Sequence, residues 1–165
     1  MNSNIFLSLG SNLGDRLDHL SKATDAIRLL GSVSKISSVY QTAPVGFKEQ
    51  DDFMNLALQI ECEFNVFEFH QKLLEIEKHL GRVRIIKNGP RIIDIDIIFF
   101  GDRVMRTDSL TLPHPRYMER NFVLAPLAEI APEYICPWQK KSVQILYQNS
   151  PDTHAVRRLS LSLTQ

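Results

Sequence analysis

Two aspartates alternate with isoleucines in the middle of the chain, Asp94-Ile95-Asp96-Ile97, directly behind a Gly89-Pro90-Arg91 turn. Four cations stand just upstream or within that turn: Arg82, Arg84, Lys87 and Arg91. The run from Ile92 to Phe100 is almost wholly β-branched or aromatic, which predicts a strand. Successive side chains of a strand point to opposite faces. Ile93, Ile95, Ile97 and Phe99 are therefore expected on one face, and Asp94 and Asp96 on the other with Ile92, Ile98 and Phe100. Both faces are otherwise apolar, so the strand reads as central and covered on both sides. The two acidic side chains would start only about 6.6–6.8 Å apart. Like charges in a low dielectric repel, and a buried charge without a partner is costly. The compensating cation is a metal ion, an arginine or both. There are more cations here than two aspartates need. That surplus points to a polyanion bridged by divalent metal, as in phosphoryl transfer. The plainer alternative is a buried Asp–Arg ion pair at a strand edge, or a solvated basic loop. Two acids inside one isoleucine run favour the functional reading.

Further groups can serve such a site. Phe53 to Glu63 alternates cleanly, with Met54, Leu56, Leu58, Ile60 and Cys62 on one face and Phe53, Asn55 and Ala57 on the other. Phe53 and Asn55 thus point the same way, and can hold a flat heterocycle by stacking and hydrogen bonding. An ordinary half-exposed strand face reads the same. In Leu112-Pro113-His114-Pro115 the histidine is locked between prolines, which suits it to bind a phosphate or hydroxyl, although a histidine on a surface loop can also be inert. Glu77 falls in the last turn of a helix, where a carboxylate opposes the helix dipole. A contact with Arg82 or Arg84 offsets that, so a structural role for Glu77 comes before substrate binding.

The elements that position these groups follow in order. Residues 5–9 read as a strand entering Gly10-Ser11-Asn12-Leu13-Gly14, a turn that matches neither of the familiar phosphate-binding glycine patterns. Leu17, Leu20, Ala23, Ile27 and Leu30 mark a helix with Gly31 at its C′ position. A second strand over 33–42 precedes a loop bounded by Pro44 and Gly46. Asn65 and Glu68 form a capping box for a second helix, whose buried stripe is Val66, Phe69, Leu73, Ile76 and Leu80. After the Asp-x-Asp strand, Val104 and Met105 are expected to return as the second arm of a hairpin. A short helix over 123–130 and another over 142–147 follow. The resulting order predicts an α+β fold with a ferredoxin-like βαββαβ core. Helices pack against its antiparallel sheet, a C-terminal hairpin and short helices are added, and the first and Asp-x-Asp strands lie side by side.

The 165 residues are 44% hydrophobic and 23% charged, with zero formal net charge. One domain over 1–165 is expected, with a polar tail over 150–165 that is loose. Zero net charge offers no global field for nucleic acid or an anionic membrane. Cys62 and Cys136 define neither a disulfide framework nor a zinc site. The amino-terminal residues show no signal-peptide pattern, so the cytoplasm is the expected compartment.

Several of these motifs stand in one order: Ser8-Leu9-Gly10-Ser11-Asn12-Leu13-Gly14-Asp15, the segment 40–46, Asp52-Phe53-Met54-Asn55, Gly89-Pro90-Arg91-Ile92-Ile93-Asp94-Ile95-Asp96-Ile97, and Leu112-Pro113-His114-Pro115 through to Pro132. Together they resemble the 6-hydroxymethyl-7,8-dihydropterin pyrophosphokinase family of folate biosynthesis, from about residue 5 to 132. The resemblance implies transfer of the β,γ-pyrophosphoryl group of ATP to the hydroxymethyl of the pterin, with release of AMP. It implies Asp94 and Asp96 as ligands of two Mg²⁺ ions, and Arg82 and Arg91 as the arginines that steady the transferring group. Glu77, Arg84, Ile97, Thr111, His114 and Arg120 match positions around ATP. Thr42, Pro44, Val45, Phe53, Asn55 and Phe122 match the pterin pocket, with the two aromatics sandwiching the ring. Loops over 44–51 and 82–90 would close over the substrates. The partners implied are small molecules, ATP and a reduced hydroxymethylpterin, with no nucleic acid or membrane, and a monomer is expected. Three positions depart from the family pattern. Asn88 stands where tryptophan is frequent, Ser109 where some members carry arginine, and Ala43 replaces the first of two prolines. Two rival readings are a non-catalytic ferredoxin-like domain that binds a small ligand, and a metal-dependent nuclease or RNA-binding module. The first has no need of two strand-borne acids facing arginines, and zero net charge argues against the second.

Overall fold

The computed structural model describes residues 3–44, 49–82 and 89–163. Its frame is an antiparallel sheet built from β1 (Ser3–Ser11), β2 (Ser32–Ile36), β3 (Ser38–Thr42), β4 (Phe53–Cys62), β5 (Asp94–Phe100) and β8 (Val156–Ser162). The strand order is β5-β1-β4-β3-β8, with β2 also paired to β4. A separate pair joins β6 (Met105–Arg106) to β7 (Thr111–Leu112). Helices α1 (Arg16–Arg28) and α2 (Val66–His79) cover one face of the sheet, and α3 (Asn121–Ile130) covers the other with α4 (Val143–Gln148) behind it.

The alternation of β1 and β4 explains the two-sided core. Ile5, Leu7, Leu9, Leu56, Leu58 and Ile60 pack under α1 and α2, whereas Phe6 and Ala57 pack under α3. The capping box at α2 is present: Asn65 Oδ1 accepts from Glu68 N–H at 2.9 Å, and Glu68 Oε2 accepts from Asn65 N–H at 3.2 Å. The first and Asp-x-Asp strands are neighbours, as expected.

Several expectations are corrected. β5 is the end strand of the sheet, not a central one. Its apolar residues are nonetheless buried, and its outer edge is closed by a side chain and a loop rather than by another strand. Ile95 N–H donates to Glu77 Oε2 at 3.1 Å, and Ile98 C=O accepts from His114 N–H at 3.0 Å. The strict alternation also fails. Leu7 faces Ile97 and Phe6 faces Phe99, so Ile98 is an extra residue in a bulge. One inserted residue reverses the faces downstream. Phe100 therefore joins Ile93, Ile95 and Ile97 under α1 and α2, and Phe99 joins Ile98 under α3.

Residues 104–105 do not return along β5. The chain turns at Phe100–Arg103, and Met105 pairs with Leu112 instead. The expected strand over 33–42 is split at buried Ser37, whose hydroxyl accepts from Ala57 N–H at 2.9 Å. Within the polar tail, Val156–Ser162 forms β8, which adds to the sheet beside β3. Its residues are mostly exposed, so it lacks the apolar stripe that marks an internal strand. Gly31 is not a helix C′ residue, because α1 ends at Arg28 with Leu29 as its cap. A Cβ at Gly31 would lie 2.2 Å from Glu61 O and 2.9 Å from Cys62 Cβ, so glycine is required by the close approach of this turn to β4. Gly31→Ala is expected to lower the unfolding free energy by about 2 kcal/mol in urea titration, through forced overpacking against backbone; an unchanged midpoint would contradict this reason for the glycine.

Candidate active site

The acidic half of β5 lies where the sheet is flanked by small residues. Asp94 pairs with Gly10 and Asp96 with Ser8 on β1, and Gly10 and Ser8 face Asn55 and Ala57 on β4. Short neighbours leave room in front of the carboxylates. A Cβ on Gly10 would stand 2.8 Å from Asn55 Oδ1, so glycine lets that amide enter the site. Asn55 is 2% exposed, and its Nδ2 donates to Thr42 Oγ1 at 2.8 Å.

Two cavities meet at Asp96. The first brings together Asp94, Asp96, Asn55, Thr42, Phe53 and Phe122, with Arg91, Arg116 and Arg120 on its wall. The second lies along the outer edge of β5 and includes Asp96, Ile97, Thr111, His114 and His70. Arg120, implied around ATP, is thus found on the wall of the first cavity, although its charge is also felt at His114. Ala43 lines the first cavity whereas Pro44, next to it, does not. Val45, Arg84 and Asn88 lie outside the described residues. Neither Arg116 nor His70 was singled out in the sequence. Arg116 follows the His-Pro motif directly. His70 is two helical turns before Glu77 on α2, a spacing that puts both on one side of the helix.

A chain of charges runs across the end of β5. Arg82 pairs with Glu77 through one nitrogen and with Asp94 through the other, the latter at 2.8 Å. Arg91 holds the second Asp94 oxygen at 3.0 Å and lies over the Phe53 ring, 5.2 Å from its centre. Arg120 lies in the same way over Phe122, at 5.5 Å. Arg91 Nε is buried and has no protein acceptor among the described residues, which leaves a donor for a ligand. The loop carrying Arg91 is clamped by Asn12: Arg91 N–H donates to Asn12 Oδ1 at 2.9 Å, and Asn12 N–H donates to Arg91 O at 3.2 Å. Asn12 Nδ2 also donates to Gln50 Oε1 at 2.8 Å and to Asp51 O at 3.1 Å. One asparagine of the glycine turn therefore ties two further loops together at the mouth of the first cavity.

Burial sets the protonation of the second cavity. His114 is held down to about 4 by burial, with Arg120 and Arg116 adding to it. Arg116 N–H donates to His114 Nδ1 at 3.2 Å, so the neutral ring carries its proton on Nε2 and offers a donor. His70 is lowered by burial, against the opposing pull of Asp96. Glu77 is pushed up to about 7 by burial, which outweighs Arg82 and the Ile95 N–H. The oxygen donors at the junction are the hard carboxylates of Asp94 and Asp96. They suit Mg²⁺, which is commonly held by one or two carboxylates and completed by substrate phosphates and water. Among the described residues no group of three or more His, Cys, Asp or Glu side chains is placed to hold a metal.

A family model described as 7,8-dihydro-6-hydroxymethylpterin-pyrophosphokinase (HPPK) matches residues 6–132. The chain belongs to this family. It is 44% identical over 132 residues to the 2-amino-4-hydroxy-6-hydroxymethyldihydropteridine pyrophosphokinase of Bacillus subtilis (strain 168), which covers 79% of each protein. It is 37% identical over 152 residues to the folic acid synthesis protein fol1 of Pneumocystis carinii, covering 92% of this chain but only 20% of that longer relative. The fold matches the crystal structure of wild-type Plasmodium falciparum HPPK-DHPS with a TM-score of 0.70 at 15% identity, over 90% of this chain and 44% of that one. Family membership and the paired acids facing arginines disfavour a non-catalytic ligand-binding domain. No helix among the described residues is long and apolar enough to cross a membrane.

The raised Glu77 has a measurable consequence. Its carboxyl is pushed from 4.5 to about 7, so between these values the folded protein keeps a proton that the unfolded chain has lost. The stability it contributes is complete below pH 4.5 and is lost as pH rises through 7. His114, lowered from 6.5 to about 4, acts oppositely: its contribution is present above pH 6.5 and is lost as pH falls through 4. The two oppose one another between pH 4.5 and 6.5, so the Glu77 part is read as a difference. In metal- and nucleotide-free urea titrations, Glu77→Gln should gain on the parent by about 2–3 kcal/mol between pH 4.5 and 7.5. A difference that stays constant with pH would rule out the buried, proton-binding carboxyl.

Proposed function

We propose that this chain transfers the β,γ-pyrophosphoryl group of ATP to the hydroxymethyl of 6-hydroxymethyl-7,8-dihydropterin, giving AMP and the pterin diphosphate. The observation that carries this reading is the position of Asp96 on the wall of both cavities, so that one carboxylate touches the meeting point of two substrates. The first cavity suits the pterin. Phe53 and Phe122 supply ring faces, and Asn55, held by Thr42, supplies an amide for the polar edge of the ring. Thr42, Pro44, Val45, Phe53, Asn55 and Phe122 are the proposed pterin-binding residues. The second cavity suits the nucleotide. An end strand presents alternate main-chain N–H and C=O groups outward, and Ile97 stands between the two points where β5 is capped. Those groups can pair with a purine. Thr111 and the Nε2–H of His114 can serve ribose and phosphate oxygens. Glu77, Arg84, Ile97, Thr111, His114 and Arg120 are the proposed ATP-binding residues, with Arg120 reaching toward the phosphates from the wall of the first cavity.

Asp94 and Asp96 would hold two Mg²⁺ ions. Bound there, magnesium would supply charge neutralisation at the phosphate oxygens. Arg82 and Arg91, freed from Asp94, turn toward the transferring group, and Arg91 Nε is the buried donor already in place. The hydroxymethyl oxygen bonds to Pβ and gives up its proton to solvent, the bond from Pβ to the bridging α-phosphate oxygen breaks, and AMP leaves with that oxygen. Positioning and charge neutralisation do most of this work, because phosphoryl transfer needs little covalent participation from the protein. The protein is proposed to act as a cytoplasmic monomer and single domain with small-molecule partners only. The connectivity β1-α1-β2/β3-β4-α2-β5 supports a ferredoxin-like core extended by β8.

ATP, Mg²⁺ and the reduced hydroxymethylpterin should yield AMP, resolved from ADP by chromatography; ADP would mean a different transfer. Asp96→Ala should retain its unfolding transition while losing turnover by several orders of magnitude, and a variant nearly as fast as the parent would refute the metal assignment.

A further inference from the structure

The amino-terminal turn of a helix leaves N–H groups without internal partners, and a capping side chain next to it ordinarily accepts from one. α3 has none: Arg120 occupies its N-cap position and makes no side-chain capping bond. The acceptor comes instead from the far end of the chain. Asn121 N–H donates to Asp152 Oδ2 at 2.8 Å, and Asn121 Nδ2 donates to the Asp152 carbonyl at 3.0 Å. A carboxylate at this end of a helix is also favoured by the helix dipole.

Asp152 is itself fixed. Its other oxygen accepts from His154 N–H at 2.9 Å and faces His154 Nδ1 at 2.6 Å, and its N–H donates to Ser150 Oγ at 3.2 Å. Its side chain is 7% exposed. Burial works against its charge, but the N–H groups of Asn121 and His154 outweigh burial and hold the carboxyl below its usual range. β8, which follows, anchors this segment to the sheet, with Arg158 reaching Ser38 and Glu129 of α3.

The residues on either side of the capped Asn121 are Arg120 and Phe122, both on the wall of the first cavity. The cap therefore comes from beyond residue 132, where the family match ends, and acts on the rim of the site. We propose that Asp152 is a positioning residue for catalysis: by capping α3 from the C-terminal segment it sets where Phe122 and Arg120 stand over the pterin cavity. This rests on the assignment of that cavity to the pterin. The segment 150–163 then acts on the substrate site although none of its residues lines the first cavity.

The test uses the full chain, with AMP release from ATP and 6-hydroxymethyl-7,8-dihydropterin and a thermal unfolding midpoint for each variant. Wild-type AMP release is measured in parallel, so failure of the assigned activity is seen separately from failure of the positioning role. Asp152→Ala should raise KM for the pterin by about tenfold and change kcat by less than about threefold, the split expected when a binding surface is misplaced rather than a reacting group removed. Asp152→Asn keeps an acceptor oxygen, and Asn and Asp are equivalent helix caps, so it should bring KM back to within about threefold of the parent. A folded Asp152→Ala protein with unchanged pterin KM would overturn the proposal, as would Asp152→Asn behaving no better than alanine. Should Asp152→Ala fail to fold, Asn121→Ala decides the matter. It removes only the side-chain half of the link and should raise pterin KM by about threefold, and an unchanged KM in that variant also overturns the proposal.

Discussion

Two like charges held close together on one strand are the constraint from which the rest follows. Asp94 and Asp96 share a face of β5, and each must be balanced without filling the space in front of it. The protein meets this with long side chains that approach from the rim. Arg82 and Arg91 grip Asp94 from opposite sides, while Gly10 and Ser8 on the neighbouring strand keep the floor low. A bulky residue at either small position would close the cavity. A missing arginine would leave a carboxylate underpaired in a low dielectric.

The end position of β5 ties that electrostatic problem to a structural one. An open sheet edge must be satisfied or protected. Here Glu77 and the His114 main chain satisfy it, and both belong to segments that also surround the second cavity. Glu77 thus serves three neighbours at once: a strand amide, a guanidinium and, through Arg82, the first aspartate. Between the Glu77 and His114 contacts the edge of β5 forms a wall of the second cavity.

What could be read from the residues alone follows the same logic. Local signals were legible: the Asn65–Glu68 box, the alternation of β4, the run of isoleucines and the paired acids. Phe53, Asn55, Asp94, Asp96 and Arg91 do converge on one cavity. What escaped was whatever depends on partners distant in the chain. Nothing in Ile92–Phe100 says that the strand lies at an edge, since two helical layers bury it as thoroughly as neighbours would. The start of α3 carries no cap of its own, so its first residues read as loop. β8 lacks an apolar stripe because it is an exposed edge, and it therefore reads as tail. The arginines at 116 and 120 become neighbours only through a turn that no periodicity announces.

The extra residue at Ile98 divides β5 into two stretches of opposite phase. Before it, the odd-numbered side chains go beneath α1 and α2 and the even-numbered acids line the first cavity; after it, the parity is exchanged and both aromatics find a core. A regular strand would have sent Phe100 to the side of the acids and Phe99 beneath the helices. A single irregular step thus lets one strand anchor itself at one end and present chemistry at the other, with the two halves free to answer to different demands.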